Sequence, residues 1–433
     1  MHKSGRAVGF WSAVSMGIGA MVGAGIFALL GQAGAIASSA VWLSFVAGGI
    51  IALLSGYSLG RLGARYPSAG GPVEYLVRGF GKGVFSGAMS VMMYISSLIS
   101  VSLIARTFGS YAYAMLPAGQ PAILVEAFAA LVVLVLMFVN LDGARTMARA
   151  ENLVVAIKMT VLAAFALAGV VYMDPARLAP SLYPPVHMIF FSLAVTFFAY
   201  EGFRVITNAA EDMPDPARTL PRAILTAIAL VMVLYVAVAF AVYGNLPVDQ
   251  AIAAKDYALA EAARPLFGET GFIIVAIAAL LSTTSAINAS LYAATNVTYQ
   301  LARYGEIPTA FGRPIGHSRE GLVISSALII ALALAFDLSQ IAAIGAISTL
   351  IIHMTIHVGH LRLVRETGAA LWLIVLAVAA NLSAIILSVV YLSTRSPMLI
   401  VWIAGFFVVS LVLEILLRKV TARIITRRCP DQP

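Results

Sequence analysis

The feature that most constrains this chain is its repetition of long apolar runs. Windows of about 20 residues can be laid at 9–36, 40–60, 84–108, 122–140, 151–172, 187–209, 222–243, 270–302, 321–336, 340–361, 369–392 and 397–417. A helix rises 1.5 Å per residue, so runs of this length cross a hydrocarbon layer roughly 30 Å thick. Hydrocarbon offers the backbone no hydrogen-bond partners, so each run is expected to be helical. Hydrophobic residues make up 61% of the chain and charged residues 11%. That balance excludes an ordinary soluble domain and predicts an all-α membrane protein with twelve transmembrane helices.

The net charge of +8 raises the question of nucleic acid, and the placement of the charges answers it. With the N-terminus inside, the outer loops hold Arg106, Arg177, Lys255, Arg264 and Arg395, while 20 Lys and Arg residues fall on the inner side. This bias orients the chain, with both termini cytoplasmic. The basic excess is therefore a topology signal, and the tail from Arg418 to Arg428 can also touch anionic lipid. Cys429 is the single cysteine, so no intramolecular disulfide or cysteine metal site is expected. The first apolar run is too long for a signal-peptide core and leads straight into further spans, so no cleaved leader is expected. Two loops exceed a simple connection. Gly63 to Gly83 is glycine-rich and inner. Asn245 to Glu269 is outer and amphipathic, and reads as a surface helix able to cap a cavity.

Within the first run lies Gly19-Ala20-Met21-Val22-Gly23-Ala24-Gly25-Ile26-Phe27. Each glycine costs a helix about 1 kcal/mol relative to alanine. One reading is a helix unwound around Gly23–Gly25, with bare N–H and C=O groups lining a cavity. The other is a small-residue packing face, since Gly19 and Gly23 also form G-x-x-x-G. The sixth run carries a second interruption, Phe197-Phe198-Ala199-Tyr200-Glu201-Gly202-Phe203-Arg204. Two interrupted helices five spans apart are the mark of a transporter built from inverted repeats, with substrate bound at mid-membrane between them. That pairing favours unwinding.

Several motifs in order then resemble the amino acid–polyamine–organocation permeases. GAMVGAGIF is similar to that family's first-span glycine motif. Tyr66-Pro67-Ser68-Ala69-Gly70-Gly71-Pro72-Val73-Glu74-Tyr75 resembles its P-x-(A/S)-G-G-x-x-x-Y loop. FFAYEGF followed by Glu211 to Ile224 resembles its most diagnostic run, and Gly305-Glu306-Ile307-Pro308 also fits. The resemblance spans essentially the whole chain and is nearest to prokaryotic proton-coupled amino acid transporters. It implies one domain over 1–433: a five-plus-five inverted repeat (9–172 and 187–361) of the leucine-transporter type, plus two peripheral helices (369–417). The first and sixth helices would be unwound.

The resemblance also implies a site for a zwitterion. Half-helix N-termini suit a carboxylate and half-helix C-termini an ammonium. N–H groups of Gly23, Ala24 and Gly25 would take the carboxylate, and C=O groups of Met21, Phe198, Ala199 and Glu201 the ammonium. Tyr200 and Phe203 (with Phe198) are candidate gates or ordinary packing. Glu201 and Arg204 lie three apart and can pair. Alternatively Glu201, where many relatives are apolar, faces the cavity and favours cationic substrates.

Lys158 lies inside the fifth run. It either snorkels to the inner headgroups or, by resemblance, projects into the place where sodium-coupled relatives hold a cation. That place would be lined by carbonyls of Gly19 and Val22 and hydroxyls of Ser282 and Ser285. A tethered ammonium there removes the need for Na⁺, and can release and regain a proton. His353, His357 and His360 share one face of the tenth run. They can be structural, relay protons or bind metal, and no carboxylate partner stands beside them in the sequence. Asp142 and Glu151 are expected to pair with Arg145 and Arg149. The chain is thus expected to be a proton-coupled, sodium-independent secondary active transporter of L-amino acids across the cell membrane, working by alternating access. The alternative on the same scaffold is an exchanger or amino acid/polyamine antiporter. No enzyme activity, cofactor or metal is expected, and no Walker A motif is present to couple ATP.

Overall fold

The structure, a computed structural model, describes residues 8–68, 70–142, 147–303, 313–315 and 318–421. The Gly305–Pro308 motif, Ala69, Arg145 and Cys429 lie outside the described residues, as do the side chains of Ala24, Arg149 and Glu151.

Helices account for nearly all of the described chain. In order they are α1 (Phe10–Ala37), α2 (Val41–Arg65), α3 (Pro72–Phe80), α4 (Val84–Ala114), α5 (Ile123–Asp142) and α6 (Met147–Val171). The sixth span follows in pieces, α7 (Val186–Phe191), α8 (Leu193–Ala199) and α9 (Val205–Asn208). Then come α10 (Pro216–Asn245), α11 (Val248–Ala253), α12 (Ala258–Arg303), α13 (Glu320–Ala335), α14 (Leu338–Leu361), α15 (Val364–Thr367), α16 (Leu371–Arg395) and α17 (Pro397–Thr421). A two-residue hairpin, Pro314–Ile315 with Ser318–Arg319, precedes α13.

Ten helical stretches among the described residues are long and apolar enough to cross a membrane. The expected count was twelve. α1 and α2 are separated only by the Ser38–Ala40 turn and form one stretch from Gly25 to Arg65. α13 has 16 residues, about 24 Å at 1.5 Å per residue, which falls short of the hydrocarbon thickness.

The ends of the helices are written in local chemistry. The Glu211–Ile224 run is a helix start. Asp215 caps α10 by accepting from the Arg218 N–H at 3.3 Å, and Pro216 occupies the first turn, where its missing N–H costs nothing. α14 opens with a capping box between Asp337 and Gln340. α12 bends at Gly268, whose φ of 64° only glycine adopts freely. The bend divides a surface leg from the span, so the expected capping helix is α11 plus that leg.

The first span is not unwound. α1 is helical through Gly23 and Gly25 to Ala37. The sixth span is interrupted: α8 stops at Ala199, and a tight 3₁₀ turn runs from Glu201 to Arg204 before α9. α1, α8, α10, α12 and α14 form the centre, with α2, α4 and α6 around them. α16 and α17 show much of their apolar surface outward, as lipid-facing helices must.

Candidate functional site

α1 and the sixth span lie against each other in opposite directions. Gly17 meets Ile206, the Gly202 position meets the Met21 backbone, and Gly25 meets Ala199. A Cβ at Gly25 would collide with the Ala199 carbonyl and lie 2.7 Å from the Tyr235 hydroxyl. A Cβ at Gly202 would collide with the Met21 nitrogen. These glycines permit backbone-on-backbone contact, which explains why a glycine-rich helix stays wound: packing supplies what propensity withholds. The expected exposure of Gly23, Ala24 and Gly25 N–H groups by unwinding is therefore not seen.

Tyr235 of α10 joins the crossing. Its buried hydroxyl lies 2.8 Å from the Met21 carbonyl and 3.2 Å from that of Ala199. Its single proton is shared between the two carbonyls assigned to the ammonium. Sequence reasoning passed over this residue; a tyrosine in mid-span, whose hydroxyl must find a partner in hydrocarbon, was the available signal. Tyr200 donates to the Phe45 carbonyl at 2.9 Å, Phe203 packs on His353, and Phe198 abuts Gly345. All three candidate gates are buried.

Glu201 is 8% exposed, and both its oxygens are engaged. Oε1 lies 2.9 Å from Arg204 Nε, and Oε2 lies 2.8 Å from His353 Nε2. The expectation that the histidines lack a carboxylate partner is thus overturned. The partner comes from another helix, which spacing along one chain segment cannot reveal. Among the described residues, no group of three His, Cys, Asp or Glu is placed to hold a metal ion.

On the other side of α1, Lys158 is 2% exposed and donates to the Gly19 carbonyl at 2.8 Å. It does not snorkel. Ser282 donates to the Gly23 carbonyl at 2.9 Å, with Val22 O at 3.4 Å. Lys158, Gly19, Val22, Gly23 and Ser282 are therefore brought together, while Ser285 is half-buried. The α11 end of the crossing is closed by a polar clasp. Gln32 donates to Asp256 at 2.7 Å and accepts from Ser339 at 2.7 Å, and Lys255 donates to Ser339 at 2.9 Å.

A family model described as amino acid permease matches residues 8–417. The chain belongs to this family. The permease is 35% identical over 420 residues to the inner membrane transport protein YbaT of Escherichia coli (strain K12), covering 96% of this chain and 98% of that one. It is 35% identical over 425 residues to MJ0609 of Methanocaldococcus jannaschii, covering 98% of each. It is 25% identical over 330 residues to the methylthioribose transporter of Bacillus subtilis (strain 168), covering 71% and 69%. The family, with the names of the Escherichia coli and Bacillus subtilis relatives, points to membrane transport of a small molecule.

For the permease, Tyr235→Phe removes one shared proton from two buried carbonyls and keeps the ring. A loss of about 0.5–1.5 kcal/mol is expected, read as a lower melting temperature in detergent by fluorescence-detected size exclusion.

Proposed function

We propose that the permease imports L-amino acids across the cell membrane by alternating access, driven by protons and independent of Na⁺. The α3 end faces the cytoplasm, in line with the lysine and arginine bias. The helices form a twelve-span, five-plus-five inverted repeat, and the antiparallel contact of α1 with the sixth span supports that pairing. The observation that carries the reading is the Lys158 ammonium on the Gly19 carbonyl, next to the Val22 and Gly23 carbonyls held by Ser282. Carbonyls and a hydroxyl are the ligands a small cation would use, and a tethered ammonium supplies the same charge.

The substrate zwitterion binds where α1 meets the sixth-span break. Because Gly25 and Ala199 touch, the helices must part to admit it. Met21 O and Ala199 O then exchange the Tyr235 hydroxyl for the substrate ammonium, and α1, wound in this structure, opens around Gly23–Gly25 to free the N–H groups that take the carboxylate. Glu201, with both oxygens already paired, supports neutral rather than cationic side chains.

The test is uptake of labelled amino acids, one at a time, into proteoliposomes with an acid-outside pH gradient, with Na⁺ or with choline in its place. Neutral amino acids should enter faster with the gradient and equally in both salts. A requirement for Na⁺ overturns the reading, and uptake only against internal amino acid shows exchange instead.

A further inference from the structure

The α14 histidines form a buried column, distinct from Lys158 and on the opposite side of α1. His353, His357 and His360 are 2%, 0% and 0% exposed. Ser58 of α2 stands between the lower two, with its Oγ 2.9 Å from His357 Nδ1 and 2.8 Å from His360 Nδ1. His357 Nε2 lies 3.0 Å from Ser55 Oγ, which also accepts from Asn381 at 3.3 Å. His360 Nε2 lies 2.9 Å from Thr367 Oγ1, itself 3.1 Å from the Leu363 carbonyl at the α3 end.

Donor counting assigns the protons. Thr367 Oγ1 donates to the Leu363 carbonyl, which leaves it to accept from His360 Nε2–H, and working back up the column makes the Ser55 hydroxyl, which accepts from Asn381, the donor to His357 Nε2. His357 Nδ1–H then donates to Ser58, Ser58 to His360 Nδ1, His360 Nε2–H to Thr367, and Thr367 to Leu363 O. Every donor points toward the α3 end. Ser58 lies in Gly56-Tyr57-Ser58-Leu59-Gly60, the letters of a nucleophile elbow. Here the motif is mid-helix and Ser58 is fully buried, so the hydroxyl bridges rather than attacks.

The upper end of the column is built differently. His353 Nε2 is on Glu201, but its Nδ1 is buried with no partner among the described residues. An orphaned buried nitrogen costs about 1–3 kcal/mol and marks a group kept for some other use. Its ring centre is 5.9 Å from that of His357.

We propose that Glu201, His353, His357, Ser58, His360 and Thr367 form a proton path from the sixth-span break to the cytoplasmic end. This rests on the proton-coupled reading above and adds to Lys158 a second protonation site, Glu201, with its own route to the cytoplasm. When the crossing opens, the Glu201 carboxylate takes a proton from the substrate side and gives it to His353; a turn of either ring, with the Ser55 hydroxyl swinging off His357 Nε2, passes it to that nitrogen. The imidazolium gives its Nδ1 proton to Ser58 as Ser58 gives its own to His360 Nδ1. His360 then gives its Nε2 proton to Thr367 Oγ1 as Thr367 turns from the Leu363 carbonyl and gives its own proton to water at the cytoplasmic end. One proton enters, one leaves, and each hydroxyl ends with its proton. The charged groups around the column are Glu201 and Arg204 from the sixth span and Arg61 from α2. At its lower end Arg362 donates to Gly79 O, and Glu366 is held by Tyr66. α3 holds the pair Glu74–Arg78, Arg106 of α4 pairs with Glu126 of α5, and α17 carries the pair Glu414–Arg418 with Lys419 beside it.

The test uses the full chain in proteoliposomes loaded with pyranine, with an equimolar mixture of ¹⁴C-labelled L-amino acids. Two rates are read: net uptake with its proton influx under an acid-outside gradient, and counterflow, which needs no net proton transfer. Ser58→Ala and His357→Gln should slow net uptake and proton influx about tenfold or more while counterflow persists. Ser58→Thr, which keeps a hydroxyl, should restore both. If Ser58→Ala does not fold, His357→Gln carries the test. Wild-type coupling in the variants overturns the path alone, as does an equal loss of net uptake and counterflow, which marks a structural role. Wild-type uptake without proton influx overturns the path together with the proton-coupled reading.

Discussion

Lys158→Ala is expected to lower uptake driven by a pH gradient by about two orders of magnitude. The side chain is buried and its ammonium sits on the Gly19 carbonyl. Alanine removes the positive charge beside the Gly19, Val22 and Gly23 carbonyls and leaves no titratable group in its place. It also leaves a void, so packing must be separated from charge. Lys158→Met refills most of the volume with an unbranched apolar chain. Both variants should lose the pH dependence, and Lys158→Met should keep a near wild-type melting temperature. Retention of the full pH response by Lys158→Met would assign the lysine to structure. If Na⁺ then restores uptake in Lys158→Ala, the vacated place accepts the cation that the ammonium replaces.

The second large effect concerns stability. Gly25→Val is expected to cost about 3 kcal/mol or more, beyond the usual 1–3 kcal/mol of overpacking, and to abolish uptake. The new Cβ meets the Ala199 carbonyl, which is backbone, and the Tyr235 hydroxyl, which is itself held by Met21 O. Neither can swing aside as a flexible side chain would. Gly19→Ala is the contrast. Its Cβ would lie 3.6 Å from Val155, an ordinary contact, and alanine favours the helix by about 1 kcal/mol. Gly19→Ala should therefore match or exceed the wild-type melting temperature, and Gly25→Val should fall well below it. Equal melting temperatures for the two would show that the crossing is looser than its geometry. Two glycines six residues apart in one motif thus serve different ends.

What the sequence determined follows from solvent. Runs of some twenty apolar residues have few stable forms in hydrocarbon, so helices, their order and their approximate limits were legible from hydropathy. The break in the sixth span was legible too, because Glu201, Gly202 and Arg204 together oppose a lipid-facing helix. Lys158 stood out because a charge inside a span is costly.

The first span shows where this stops. Glycine lowers helix propensity, but it also lets two backbones touch, and sequence alone cannot weigh one against the other. Contact with Ala199 and Tyr235 decided for the wound helix. The same holds for the polar chemistry. Glu201 and His353 are 152 residues apart, and Ser58 and His360 are 302 apart. Along the chain each has neighbours on its own helix, but nothing there names the partner on another. Buried polar groups must find partners, so the sequence required that they be satisfied. Which helix supplied each partner was settled only by the packing of α2, the sixth span and α14, because hydrogen bonds act over about 3 Å and nothing in chain order encodes that distance.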